Sequence, residues 1–283
     1  MKFAAFSGVL IDHSIQEALQ LTKKLGFDGI EIAAREPHLS AATSAPRVKE
    51  IRTVADGLGL DIPVIAGYMG GFSTASDKES EQAFSEFQRM LEMSETLGAS
   101  MIRVGSGGPN AFLAEDYHYA KAAFWLRKCA AEARKHDKRI VLEIHNVSLV
   151  ETVESGLRLL DLVGEDNVGL IHDAGNMYIT DTDYGRDSVI ALGRKMFHVH
   201  VKDEKRVAEA GSPGTFVNRT KHGEEKFLQC RLGEGEADHQ PLFDALKETG
   251  YDGWVTLECH APFPAYERLE HDFRKVKQML GLA

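Results

Sequence analysis

Cysteine is scarce in this chain: only Cys129, Cys230 and Cys259 occur among 283 residues, and no two are close enough to form a motif. A disulfide framework and a thiolate zinc site are therefore excluded as organising devices, and a reducing cytoplasm is the expected compartment. No apolar run approaches the roughly 20 residues needed to cross a bilayer, so no membrane partner is expected. The apolar start, MKFAAFSGVLID, ends at Asp12 before it could form the core of a signal peptide, and it reads as a first strand. Basic residues are also in deficit, 33 Lys and Arg against 43 Asp and Glu, for a formal net charge of −10. That balance opposes a phosphate backbone, and no nucleic-acid partner is expected.

What the sequence does contain is alternation. Short β-rich runs are separated by longer segments of helical period, which implies parallel βα units. Eight strands are expected: Lys2 to Phe6, Gly29 to Ala33, Asp61 to Ala66, Ser100 to Val104, Ile140 to His145, Val168 to His172, Phe197 to Lys202 and Trp254 to Cys259. Several are apolar on both faces, as buried parallel strands must be. Between them, Ile15, Leu19 and Thr22, then Phe84, Phe87, Met90, Leu91 and Ser94, keep the spacing of an amphipathic helix. Gly26, Gly98 and Gly250 fall just past such runs, where a left-handed C-cap favours glycine. One α/β barrel typically takes about 250 residues, so residues 1–283 are expected to form a single (β/α)8 TIM barrel. A long irregular active-site loop is expected at about 203–236, with Arg206, Arg219, Lys221, His222, Lys226 and Arg231 as a local basic excess for an anionic or polyhydroxylated ligand.

Barrel strands alternate between lumen and helix layer, and barrel active sites lie at the C-terminal strand ends. In VLEIHN, Glu143 and His145 share the lumen face; in FHVHVKD, His198, His200 and Lys202 do. LIHDAGN brings Asp173 to the mouth of its strand, and TLECH brings Glu258. His172, of opposite parity, is expected to pack behind. Arg103 and Glu31 are read as structural ion-pairing groups, and Gly105-Ser106-Gly107-Gly108 as a turn with exposed amides. Three carboxylates in one lumen would repel one another unless a cation held them, so Glu143, Asp173, His200 and Glu258 are the expected ligands of one divalent metal. A donor set rich in oxygen with one nitrogen favours Mn2+, with Mg2+, Co2+ and Zn2+ as alternatives.

On these residues, and on the motifs LEIH, GLIHDAGNM, FHVHVKD and RLGEGEADHQPLFDALKETGYDGWVTLE, the chain resembles the xylose isomerase-like barrel superfamily over nearly its whole length. The likeness is in particular to sugar phosphate isomerases/epimerases, among them members similar to ketose 3-epimerases. The resemblance implies the same four metal ligands, with Glu143 and Glu258 as paired acid and base, and a substrate arginine six residues after the histidine ligand, at Arg206. Where such epimerases carry a substrate histidine, this chain has Asn176. The expected activity is proton transfer through an enediolate on a ketose or related polyhydroxy carbonyl compound. His145 is expected to assist catalysis, and Arg206, Lys202, His198 and Asn176 to bind substrate. The alternative is a lyase of the same superfamily, resembling inosose dehydratases or C-glycoside-cleaving enzymes; a non-catalytic sugar-binding barrel ranks below both. The expected partner is a small carbohydrate, and homo-oligomerisation is expected only because symmetric assemblies are common.

Overall fold

The computed structural model describes residues 1–282. Eight parallel strands close a barrel: β1 Lys2–Phe6, β2 Gly29–Ala33, β3 Val64–Ala66, β4 Met101–Arg103, β5 Arg139–Glu143, β6 Val168–Asp173, β7 Met196–Val201 and, last in the ring, β11 Trp254–Leu257. The ring closes where β1 pairs with both β2 and β11. Around it run α1 Ile15–Leu25, α2 Ala45–Leu58, α3 Asp77–Leu97, α4 Asp116–Lys135, α5 Val153–Val163, α6 Ala174–Ile179, α7 Arg186–Leu192, α8 Gln240–Glu248 and α9 Ala265–Leu280. No helix is long and apolar enough to cross a membrane among the described residues.

The helices start and stop for local reasons. Ser14 and Ser76 form reciprocal capping boxes with Glu17 and Glu79, which satisfy amides at the starts of α1 and α3. Gly26 and Gly98 end the same helices with φ of 86° and 74°, as the sequence predicts.

The interior divides into two layers, and side-chain parity shows why. Val64, Met101, Val141 and Ile171 form a buried apolar cluster separate from the main core, with Phe197 packed against it. Two residues further along three of those strands stand Arg103, Glu143 and Asp173. Because the strand repeat is two, each strand contributes first an apolar plug and then a polar group above it, at its C-terminal end. A dry floor therefore underlies the polar constellation.

The 203–236 segment is not an irregular loop. It holds a three-stranded antiparallel sheet of β8 Asp203–Arg206, β9 Thr215–Thr220 and β10 Gly223–Cys230, with β10 central. Phe216 and Phe227 stack at 5.6 Å across β9 and β10. The buried Asp203 carboxylate fixes the return of this sheet to the barrel by accepting N–H groups of Gly233, Gly235 and Ala237 at 2.8 to 3.1 Å. A side chain at Gly235 would collide with that carboxylate, which accounts for the glycine. The expected basic patch is also dispersed. Arg206 pairs with Glu225, Lys221 and His222 with Asp181, and Arg231 with Glu234.

Candidate metal centre

Glu143, at the end of β5, Asp173, at the end of β6, His200 of β7 and Glu258, just past β11, each offer a ligand atom within 4.8 Å of the others. His200 Nδ1 lies 3.2 Å from Glu258 Oε2, 3.6 Å from Glu143 Oε1 and 3.8 Å from Asp173 Oδ2. Three of these atoms, His200 Nδ1, Asp173 Oδ2 and Glu258 Oε2, are buried and have no hydrogen-bond partner. Buried polar atoms are rarely left so, and three acceptors aimed at one point fit a divalent cation better than a hydrogen-bonded core.

The lower shell orients the histidine. Glu31 of β2 is fully buried, and its carboxylate lies 3.1 and 3.2 Å from His200 Nε2 and 2.9 Å from His198 Nε2. A carboxylate only accepts, so both histidines present Nε2–H to it, which leaves Nδ1 as the His200 atom that faces the cage and would give up its proton to offer a lone pair to a metal. His198 also meets Thr256 Oγ1 at 2.9 Å. It was expected to contact substrate; it is wholly buried beneath the cage and cannot do so.

Asp173 is shared between two tasks. Its Oδ1 accepts the Asn176 amide at 2.9 Å as the N-cap of α6, which leaves Oδ2 for the cage. Asn176, also expected at the substrate, spends its side-chain N–H groups on Glu143 Oε1 at 3.0 Å and the Ile144 carbonyl at 3.2 Å. It positions Glu143. Glu143 Oε2 is in turn held by Arg103 Nη1 at 2.5 Å, so the ion pair read from the sequence has a specific partner. Lys202 Nζ, on the lumen face, sits 3.1 Å from Asp173, 3.5 Å from Glu258 and 3.9 Å from Glu143.

These contacts set the ionisation. Burial alone would raise the Glu143 carboxyl, but Arg103 and His200 overcome it and hold the group well below the usual range. Burial likewise opposes Glu258, where Lys202 and His200 prevail. Asp173 is pushed up by burial and by both glutamates, against Lys202. One of the three carboxylates is thus left undercompensated, the frustration a divalent charge relieves.

His145 lies beyond the end of β5, exposed, with Nδ1 2.5 Å from the Asn146 carbonyl oxygen. With Glu143, Arg103, Tyr68, Val147, Ser148 and the Gly105–Gly108 loop it lines a cleft of about 290 Å³. Gly107 takes φ of 90°, and a Cβ there would strike Ser73 and the Gly71 backbone, so the glycines hold two loops of the rim together. Arg206, the arginine six residues after the histidine ligand and a candidate substrate contact, stands apart from the metal cage. The chain leaves the barrel at β8, and the guanidinium settles on Glu225 and the rings of Tyr178 and Phe227. His172 packs behind, 2.9 Å from Ser188 Oγ. Sequence reasoning missed Tyr68 as a wall of the cleft and the orienting contacts of Glu31; a charge in the buried strand GIEIA was the available signal for the second.

Fold and site together define a class: a (β/α)8 barrel with three carboxylates and an imidazole converging at the C-terminal strand ends. The chain belongs to the family described as xylose isomerase-like TIM barrel, which matches residues 19–279. An inosose dehydratase of Clostridium perfringens is 24% identical over 271 residues, covering 88% of this chain and 83% of that protein. Among solved structures, the IOLI protein with a bound zinc atom superposes with a TM-score of 0.81 at 19% identity, covering 99% and 98% of the two chains. An L-ribulose 3-epimerase does so with 0.78 at 21% identity, covering 99% and 94%. Dehydratase and epimerase relatives thus share this barrel.

Proposed function

We propose that the protein is a metal-dependent enzyme that removes a proton next to the carbonyl of a polyhydroxylated compound. The convergence of three unpartnered buried acceptor atoms from Asp173, His200 and Glu258 carries this reading. A divalent cation held there with Glu143, and with Mn2+ best matched to the donor set, would polarise a carbonyl and acidify the adjacent C–H.

The two glutamates are not equivalent. Both Glu143 oxygens are engaged, by Arg103 and Asn176, whereas Glu258 turns Oε2 to the cage and has on Oε1 only a looser contact to His260 at 3.3 Å. Glu258 is the base; Glu143 is a fixed charge. Lys202 and Arg103 place positive charge where the oxyanion of the enediolate develops. His145, whose Nδ1 faces the Asn146 carbonyl, keeps Nε2 for proton delivery. With one glutamate less tightly held than the other, elimination is favoured: Glu258 takes the C–H proton, the C–O bond at the next carbon breaks, and His145, entering the step as the imidazolium, gives its Nε2 proton to the departing hydroxyl to form water and is left neutral. This dehydratase outcome is also the activity named for the Clostridium perfringens relative.

The epimerase or isomerase outcome requires Glu143 to return a proton from the other face, or delivery to the neighbouring carbon. Incubation of Mn2+-loaded protein with a ketose and inosose panel in D2O separates the readings. A product lighter by one water supports elimination; deuterium at carbon with mass otherwise conserved supports epimerisation. Neither exchange nor mass loss across the panel, with metal bound, would sink the proton-abstraction reading.

A further inference from the structure

One guanidinium at the mouth of the barrel is left unused by the metal cage. Glu31, Ala33 and Arg35 share strand parity along and just beyond β2, so the chain that sends Glu31 into the lumen carries Arg35 to the rim on the same side. Arg35 is exposed, and its guanidinium lies 4.6 Å from the centroid of the Tyr68 ring. That ring lines the cleft beside Glu143 and His145, and it also has Arg103 at 5.0 Å. The two arginines differ in their electrostatics. Arg103 is neutralised by Glu143, whereas among the described residues Arg35 has no carboxylate within 4.0 Å and no side-chain hydrogen bond. The adjacent Glu36 is turned to Ser40, whose Oγ donates to its Oε1 at 2.6 Å, and makes no ion pair with Arg35.

From this arrangement we infer that Arg35, braced on Tyr68, is an anion subsite, and that the substrate carries a carboxylate or phosphate group remote from its reacting carbon. This rests on the reading of the cleft as the place where a polyhydroxylated carbonyl compound binds. A guanidinium presents a planar fork matched to either oxyanion, and stacking on an aromatic face restricts it in advance. The protein's net charge of −10 would otherwise repel such a substrate, so a cation at the entrance supplies the local attraction.

The test compares dissociation constants of D-fructose, 2-keto-D-gluconate and D-fructose 6-phosphate, by calorimetry, on Mn2+-loaded wild type, Arg35→Gln and Arg194→Gln. Arg194 is an exposed arginine just before β7, at the opposite end of the barrel, and serves as the control. At least one anion is expected to bind about 10-fold more tightly than fructose to wild type and to Arg194→Gln, in line with a charged hydrogen bond. In Arg35→Gln that preference collapses while fructose affinity is unchanged; which anion shows it distinguishes carboxylate from phosphate. Binding of fructose without anion preference, or a preference that survives Arg35→Gln, overturns the subsite alone. Failure of all three sugars to bind overturns the polyhydroxy-carbonyl reading and the subsite with it.

Discussion

Replacing Glu31 by Gln changes one buried atom without touching a metal ligand, and its effect follows from proton counting. The carboxylate accepts Nε2–H from His198 and from His200. The Oε2 position meets both N–H groups, at 2.9 and 3.1 Å, so a glutamine carbonyl there can accept both, but its NH2 group then stands at the Oε1 position, 3.2 Å from the His200 Nε2–H, donor against donor. Relief requires His200 to turn or to move its proton to Nδ1. If the proton moves, the cage-facing atom loses the lone pair that binds metal. Even without that shift, His200 loses the negative charge that raises its basicity. An unsatisfied or reoriented buried donor costs roughly 1–3 kcal/mol, and disturbed outer partners of metal-bound histidines typically cost 10–100-fold in affinity. Glu31→Gln should therefore weaken Mn2+ binding by about 10- to 100-fold, read by titration against a competing chelator, with circular dichroism confirming the fold. Unchanged metal affinity in a folded variant would refute the assignment of Nδ1 as the ligand atom and Glu31 as its orienting partner.

Other consequences are as direct. Arg103→Gln leaves the Glu143 carboxylate buried without its cation, and should destabilise the metal-free protein by about 3 kcal/mol in urea denaturation, with Arg103→Gln/Glu143→Gln less affected than the single variant. Asp272 is buried with one unpartnered oxygen, and burial pushes its carboxyl up to about 7. A carboxyl raised on folding stabilises below its unfolded value, near 4, and that contribution is lost as pH rises through 7. Thermal denaturation should show Asp272→Asn gaining on wild type by up to roughly 4 kcal/mol between pH 4 and pH 8; a constant difference across that range would contradict the shift.

Much of the barrel was legible in the sequence because period-two alternation and glycine caps are local signals. The first two strands run over Lys2–Phe6 and Gly29–Ala33 as predicted, and strand parity alone brought Glu143, Asp173, His200 and Glu258 to one mouth. Parity fixes a face, not a partner. Glu31 meets His198 and His200 from 167 and 169 residues away, and nothing local to GIEIA says which histidines lie across the lumen. The same gap explains His198 and Asn176. Both face the site as predicted, but depth and hydrogen-bond commitments, which spacing does not encode, turn them from substrate contacts into supports. The surroundings of Arg206 were hidden for a different reason: its offset from His200 assumes continuous barrel geometry, whereas the chain departs into β8 to pair with β10 and the guanidinium rests on Glu225. That sheet was hidden because its strands are half exposed, with Phe216 and Phe227 as its main apolar anchors.

On the proposed reading, one divalent ion sits among Glu143, Asp173, His200 and Glu258. Elemental analysis of the purified protein, with calorimetric titration of Mn2+ into the stripped wild type and into Asp173→Ala and His200→Ala, tests it without knowledge of the substrate. The geometry predicts one ion per wild-type chain and a loss of binding of at least about 100-fold in each variant. Stripped wild type that binds no divalent ion, or variants that bind as wild type does, would contradict it.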